Sequence, residues 1–396
     1  MILHYHYSCN PNSGEIRRIR NINNEFCKVA ADKSVEVEFY SLRDRGNIKN
    51  KWKFMLSENV CKKYYIPLLP FSGKSKHLQR LCDLWTSLVI LFIYYIYHPD
   101  IIIGEFSISY SAMLFKKFMN SSYIVDMHGA IPEEYVYNND NVKKWRLDYF
   151  TRLEEKTSRK ADYVICQSEQ MKRHIIDKYN ATEQSIFVYK CGVDPELFKY
   201  DVNTRNKVRK EIGIPEESLV FVYSGGLMKW QKIEDSFKIF AEAHRQINNC
   251  KFLILTRELE KLDSIISYMN LTSLSDDVIA LSSPFDRVSD YLNAADVAFL
   301  LRDDDVMNRV ASPTKLAEYM ACGLPVISSN VSSYWVDKEL FLDNTVIILD
   351  TINDIKLVRE IISHCDKKRI RSHAINNYSL SIDAQNIASL FVNLSR

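Results

Sequence analysis

The sequence predicts an α/β fold made of two doubly wound domains in succession, and three observations carry that prediction. A chain of 396 residues exceeds what one ordinary hydrophobic core organises. Short runs rich in Ile, Val, Leu, Phe and Tyr alternate with helical stretches along its whole length. Most of these runs are continuously apolar, the pattern of parallel strands buried on both faces. The series is interrupted once, by a polar, proline-marked stretch over residues 193–215.

The strands follow in order. In the first half they fall at residues 2–7, 35–40, 101–103, 123–125, 163–166 and 186–189. In the second half they fall at 219–223, 252–256, 278–281, 297–300, 325–328 and 346–349. Helices lie between them, as over 235–246, where Phe237, Phe240, Ala241 and Ala243 share a side. The most apolar stretch, 85–97, is thirteen residues long, against the roughly 20 that a bilayer span needs. It reads as a buried helix before the His98-Pro99-Asp100 turn. A last helix covers 382–394.

Composition narrows the function. Hydrophobic residues make up 46% and charged residues 26%, which suits a globular protein and excludes a disordered or polytopic membrane chain. The net charge of +2 gives no footprint for nucleic acid. Ten cations between positions 43 and 80, against Asp44 and Glu58, instead suggest a solvated face or a surface that meets anionic lipid. Nine scattered cysteines without a C-x-x-C pair fit a reducing cytoplasm, and the first residues lack the pattern of a signal peptide.

In open α/β sheets ligands bind beyond the carboxyl ends of the strands, so the loops there hold the chemistry. Only 10 residues are glycine, so each one marks a place where the backbone needs it. Gly14, with Ser13 and Glu15, lies between the first strand and a helix, where main-chain amides can approach a ligand. Gly73 in Gly73-Lys74-Ser75 lacks the leading strand and partner glycine of a phosphate loop. His128-Gly129 directly follows a strand, and a histidine there can donate to a phosphate or a sugar hydroxyl. Gly225-Gly226 ends the first strand of the second half, with Lys229 and Lys232 close behind.

The densest segment runs Ser312-Pro313-Thr314-Lys315-Leu316-Ala317-Glu318-Tyr319-Met320-Ala321-Cys322-Gly323. Ser312 suits an N-cap, Pro313 the first helical position and Gly323 the stop. Such a helix offers amides and a dipole to an anion, with Lys315 adding charge. Glu318, on the same face, can accept from vicinal hydroxyls such as those of a ribose. A bland alternative is a capped helix with an i,i+3 ion pair.

Taken in order, these motifs resemble the retaining glycosyltransferases of GT-B fold, specifically glycosyltransferase family 4. The resemblance rests on the Gly14 loop, Asp126-x-His128-Gly129, Ala161-Asp162-Tyr163-Val164-Ile165 with Ser168, Gly192-Val193-Asp194, Gly225-Gly226, Ala295-Asp296-Val297 and the 312–327 segment. It implies two Rossmann-like domains facing across a cleft. Residues 1–195 would bind the acceptor, 196–378 the nucleotide sugar, and 379–396 would form a helix packed back on the first domain.

The resemblance further implies transfer of a sugar from a nucleotide-diphosphate donor to a glycan or lipid-linked acceptor in surface polysaccharide synthesis. Anomeric configuration would be retained, with no metal and no cofactor beyond the co-substrate. His128, Lys315 and Glu318 would be catalytic, with Glu318 on the ribose and His128 at the donor sugar and phosphate. Gly225, Gly226, Lys229, Lys232, Arg302, Asn308, Ser312, Pro313, Thr314 and Leu316 would bind the donor. Ser13, Gly14, Glu15 and Gly129 would form the acceptor-side phosphate loop. The protein would be cytoplasmic, peripheral on the inner face of the cell membrane through 43–80.

There are departures. The first glutamate of the family's Glu-x7-Glu pattern falls at Val310, which leaves Asn308 and Arg302 as candidates for its contact. Gln231 occupies the position expected for a lysine, flanked by Lys229 and Lys232. Two alternatives follow. One is a catalytically silent nucleotide-sugar binder. The other is a metal-dependent GT-A-type transferase using Asp303-Asp304-Asp305.

Overall fold

The computed structural model describes residues 1–7, 14–30, 34–40, 61–70, 73–335, 340, 345–348 and 355–394. The chain divides into two compact units. Unit 1 comprises Met1–Cys191, Val310–Ser312 and Leu380–Arg396; unit 2 comprises Gly192–Arg309 and Pro313–Ser379.

Unit 1 is built on seven strands: β1 (Ile2–Tyr7), β2 (Ser34–Tyr40), β3 (Cys61–Pro67), β4 (Ile101–Glu105), β5 (Ser122–Met127), β6 (Tyr163–Cys166) and β7 (Ile186–Val188). They pair in parallel in the order β3-β2-β1-β4-β5-β6-β7. β1, β4 and β5 contribute Ile2, Ile101, Ile103 and Ile124 to one face, which explains their continuous hydrophobicity. That face is closed by Ile22 and Phe26 of the Gly14–Ala30 helix and by Ala384, Ile387, Ala388 and Phe391 of the last helix, Leu380–Leu394. The C-terminal helix thus lies against the first helix of the chain.

Unit 2 has β8 (Leu219–Ser224), β9 (Cys250–Leu255), β10 (Val278–Leu281), β11 (Val297–Leu300), β12 (Val326–Ser328) and β13 (Val346–Ile348) in the parallel order β10-β9-β8-β11-β12-β13. Phe221 of β8 stacks on Phe299 of β11 at 5.4 Å, and Phe237, Phe240 and Phe252 complete the cluster on that face. Each such ring is worth about 1.5–3 kcal/mol of burial.

The structure corrects the sequence reading in three places. A strand was missed: β3 carries Lys62 and Lys63 and sits on the sheet edge, where Lys63 pairs with Glu36 and Glu38 of β2. The apolar stretch expected as a buried helix over 85–97 belongs to a longer helix, Lys76–Tyr97, with one face in solvent. Ser312 is not a helix cap. The short helix spans Thr314–Ala321 with Pro313 at its N-cap, and the Ser312 hydroxyl accepts from the Cys191 amide at 3.0 Å in unit 1.

Candidate functional site

In unit 2 the chain winds outward one way from β8 through β9 to β10 and the other way from β11 through β12 to β13. The strand order therefore reverses between β8 and β11, and the crevice at such a reversal is where ligands of doubly wound sheets bind. Four segments bring side chains there: the end of β8, the one-turn helix Lys229–Gln231, the loop after β11, and the Thr314–Ala321 helix.

The centre of this crevice is Gln231, a buried amide. Its Oε1 accepts from the Lys315 ammonium at 2.7 Å and from Arg302 Nη1 at 2.6 Å. The Tyr223 hydroxyl lies 3.2 Å from the same oxygen and 3.1 Å from Lys315 Nζ. Arg302 stacks on the Trp230 ring at 4.6 Å, and Lys315 lies over the Tyr223 ring at 4.4 Å. No carboxylate of the described residues comes within ion-pair distance of Lys315. Burial first, and the Arg302 charge second, hold its ammonium well below the usual lysine range, while Glu318 pulls the other way. Two cations meeting on one neutral oxygen form a seat for an anion.

The glycines contribute room. Gly225 has φ +135°, and a Cβ there would stand 2.4 Å from the Lys315 Cε and Nζ. The Gly225 amide donates to Leu255 O and the Leu227 amide to Glu258, so these amides are already engaged. Gly226 lies beside the Glu258 carboxylate. Tyr319 ties the helix to the strand by accepting from the Ser224 amide at 2.9 Å. Glu318 is buried on that helix, one turn beyond Lys315, and Leu316 is buried in the core below.

Other predicted residues have different roles. Lys232 pairs with Asp303 at 2.7 Å and Asp235 at 2.8 Å, whereas Lys229 is exposed at the turn. Asn308 donates to Asp305 at 3.0 Å, and Arg309 pairs with Asp304 at 2.6 Å. The three aspartates thus face three separate partners, and none belongs to a metal-ligating cluster among the described residues. Val310 belongs to unit 1, where its carbonyl accepts from Ser168 Oγ at 2.6 Å.

In unit 1, His128 follows β5 with Nε2 3.4 Å from Asp126 Oδ2. Asp126 is fully buried and paired with the equally buried Arg18 at 2.7 Å. Burial would raise its carboxyl, but Arg18 and His128 outweigh that and hold it far below the carboxylate range. Arg18 also donates to the Tyr189 carbonyl. Sequence reasoning missed Arg18, since an arginine on an amphipathic helix reads as solvated. Gly129 lies near Gln167. Gly14 and Glu15 open the first helix, and Ser13 lies outside the described residues.

Two doubly wound parallel sheets, the second with polar and charged side chains gathered where its strand order reverses, are the build of a GT-B protein, and comparison with known proteins agrees. The description Glycosyltransferase Family 4 matches residues 22–197 and Glycosyl transferases group 1 matches residues 204–379. The chain belongs to the GT-B glycosyltransferases of family 4 type. This fold sets aside the GT-A alternative.

TuaH of Bacillus subtilis, named for glycosyl transfer in teichuronic acid biosynthesis, is 24% identical over 196 residues, 48% of this chain and 46% of that protein. The match thus spans about half of that relative's length. Among solved structures, a glycosyltransferase of Rickettsia africae has a TM-score of 0.71 at 13% identity, covering 99% of this chain and 98% of that one. Anabaena HepE, solved with UDP, has a TM-score of 0.72 at 15% identity, covering 99% of both chains.

Proposed function

We propose that the protein transfers a sugar from a nucleoside-diphosphate sugar to a glycan or lipid-linked acceptor in surface polysaccharide synthesis, with retained configuration and without a metal. The observation that carries this reading is the meeting of Lys315 and Arg302 on the single oxygen of Gln231 at the β8/β11 crevice. A diphosphate placed there replaces a neutral acceptor with an anion, and the favourable energy grows as charge develops on the leaving group. Glu318 takes the ribose hydroxyls. In the transfer, the bond from the anomeric carbon to the diphosphate breaks, the acceptor oxygen bonds that carbon on the same face, and the hydroxyl proton passes to the departing diphosphate. His128, with its ring beside Asp126, takes the donor sugar and phosphate. HepE's complexes with UDP and UDP-glucose support a uridine donor.

The setting proposed is the cytoplasmic face of a membrane. Residues 43–60 and 71–72 of the basic 43–80 stretch lie outside the described residues. Of the remainder, Lys63 is committed to Glu36 and Glu38, and Lys62 lies over the Tyr97 ring at 5.3 Å.

A thermal-shift screen of the full chain with UDP-, GDP-, ADP-, TDP- and CMP-sugars, followed by transfer of labelled sugar to a membrane extract, tests the reading. Stabilisation by one donor and label in the extract support it. Binding without transfer supports the silent binder, and no binding by any donor overturns both.

A further inference from the structure

The Lys76–Tyr97 helix buries Cys82, Ile90, Ile93 and Tyr94, and still leaves a broad apolar face in solvent. The residues it buries include Gln79, Asp83, Thr86 and Ser87. Their polar groups are satisfied internally: Asp83 accepts from Gln79 at 2.9 Å and from Tyr149 at 3.0 Å, and the two hydroxyls donate back to the helix backbone. The face left in solvent carries Leu81, Leu84, Trp85, Leu88, Phe92, Tyr95 and Ile96, with Phe92 66% and Ile96 53% exposed. From Leu81 to Ile96 this stripe runs about 22 Å at 1.5 Å per residue. The only acidic residue of the helix, Asp83, is buried. Water gains nothing from such a surface, and isolated exposed apolar residues do not form a continuous stripe of this length.

A cavity of about 440 Å³ in unit 1 opens at the N-terminal end of the same stripe. Leu84 belongs to both. Four cations line it: Lys76, Arg80, Arg152 and Lys156. Lys156 donates to the Tyr110 hydroxyl at 3.1 Å. Lys76, Arg80 and Arg152 have no ion-pair partner among the described residues. Asp83 and Asp148 are the acidic members of the lining, so cations outnumber carboxylates two to one. The volume is in the range of small-ligand sites.

We propose that this cavity takes the phosphate headgroup of an anionic phospholipid while the exposed stripe of the Lys76–Tyr97 helix lies in the acyl layer of the same bilayer. Cations at one end and Leu, Phe, Trp and Tyr along the rest form the pattern of an interfacial helix rather than of a span, because the opposite face is packed in the protein. The proposal deepens the peripheral-membrane part of the reading above and rests on it, but uses residues outside the donor site.

Sedimentation of the full chain with vesicles of phosphatidylcholine, with and without phosphatidylglycerol, tests it. The anionic vesicles are expected to bind roughly tenfold or more tightly. The double change Arg80→Glu with Arg152→Glu, and separately Leu88→Asp with Phe92→Asp, should each reduce that binding at least about tenfold. Arg80→Lys with Arg152→Lys should keep it. Unchanged melting temperature and unchanged nucleotide-sugar binding certify that the variants are folded.

Equal binding to neutral vesicles, whose zwitterionic headgroup also carries a phosphate, overturns the selection of an anionic headgroup by the four cations. Competition by inorganic phosphate, with wild-type binding by the Leu88→Asp/Phe92→Asp variant, would show a free-phosphate pocket instead. A dimer abolished by Phe92→Asp, without vesicle binding, would show that a second copy covers the stripe. Loss of nucleotide-sugar binding in the wild type would sink the transferase reading and leave the vesicle result standing.

Discussion

Lys315 reaches across to Gln231, its ammonium 2.7 Å from the amide oxygen that Arg302 also uses. A lysine in the family's expected position would have placed a third cation in this crevice. The neutral glutamine instead gathers two cations from other segments and keeps them 2.6–2.7 Å from one acceptor. In the proposed reading, replacing Lys315 by Ala removes a charge-assisted contact to the diphosphate worth ~1.5–3 kcal/mol. Affinity for the nucleoside diphosphate should therefore fall roughly 10- to 100-fold in calorimetry. Equal affinity in the variant would remove Lys315 from the site.

The lowered pKa of Lys315 gives this contact a pH dependence with a definite sign. As pH rises the ammonium loses its proton earlier than an ordinary lysine, so diphosphate affinity should decline over a pH range below that of an ordinary lysine. Lys315→Arg, charged throughout, should flatten the profile. A flat wild-type profile over that range contradicts the burial of the ammonium.

Gly225→Ala should mimic loss of the lysine. The new Cβ would meet the far end of the Lys315 side chain at 2.4 Å, and φ +135° is strained for any residue with a Cβ. The side chain can swing away, so stability should fall by only ~1–3 kcal/mol while nucleotide affinity drops as in Lys315→Ala. A variant that binds as the wild type would show that Lys315 need not occupy that space.

Arg18 and Asp126 form a fully buried pair beside His128. Arg18→Met removes the main partner of the buried carboxylate, leaves only His128 beside it and should cost ~3–5 kcal/mol, read as a lower urea midpoint for unit 1. Changing both residues, Arg18→Met with Asp126→Leu, should recover much of it. Failure of the double variant to recover would mean that the main chain, through the Tyr189 carbonyl, depends on Arg18 independently.

His4 supplies an acid-sensitive element. Burial, then the neighbouring His6, lowers its pKa from 6.5 to about 4, and Asp126, Asn23 and Glu36 oppose this only partly. The unfolded chain therefore binds a proton between pH 6.5 and 4 that the folded chain refuses, so stability declines as pH falls through that window. The decline from this group approaches ~3 kcal/mol. Denaturant titrations at pH 7 and pH 4.5 should show it, and His4→Gln should shrink the difference. An undiminished difference would assign the acid sensitivity to other groups.

Much of this fold was legible because parallel strands buried on both faces announce themselves as apolar runs; β6, β10 and β11 fall where the runs do. β3 was hidden because Lys63 is satisfied laterally by Glu36 and Glu38 and Lys62 lies over the Tyr97 ring, partnerships invisible along one strand. The Lys76–Tyr97 helix was read as buried because hydropathy reports how apolar a helix is and not which face packs. In the candidate site, Lys315 and Glu318 stood out by spacing. Gln231 looked like a gap in a basic pattern, since its value lies in what reaches it from Arg302 and Lys315, 71 and 84 residues away. Ser312 misled because a serine before proline has the chemistry of a cap, and the Cys191 amide claimed its hydroxyl instead.

The central claim is that the crevice between β8 and β11 holds the diphosphate and ribose of a nucleotide sugar. Calorimetric titration of UDP-glucose into the wild-type chain and into Lys315→Ala and Glu318→Ala tests it most directly. Saturable one-site binding by the wild type and a loss of roughly tenfold or more in each variant are expected. Wild-type affinity in both variants would contradict it.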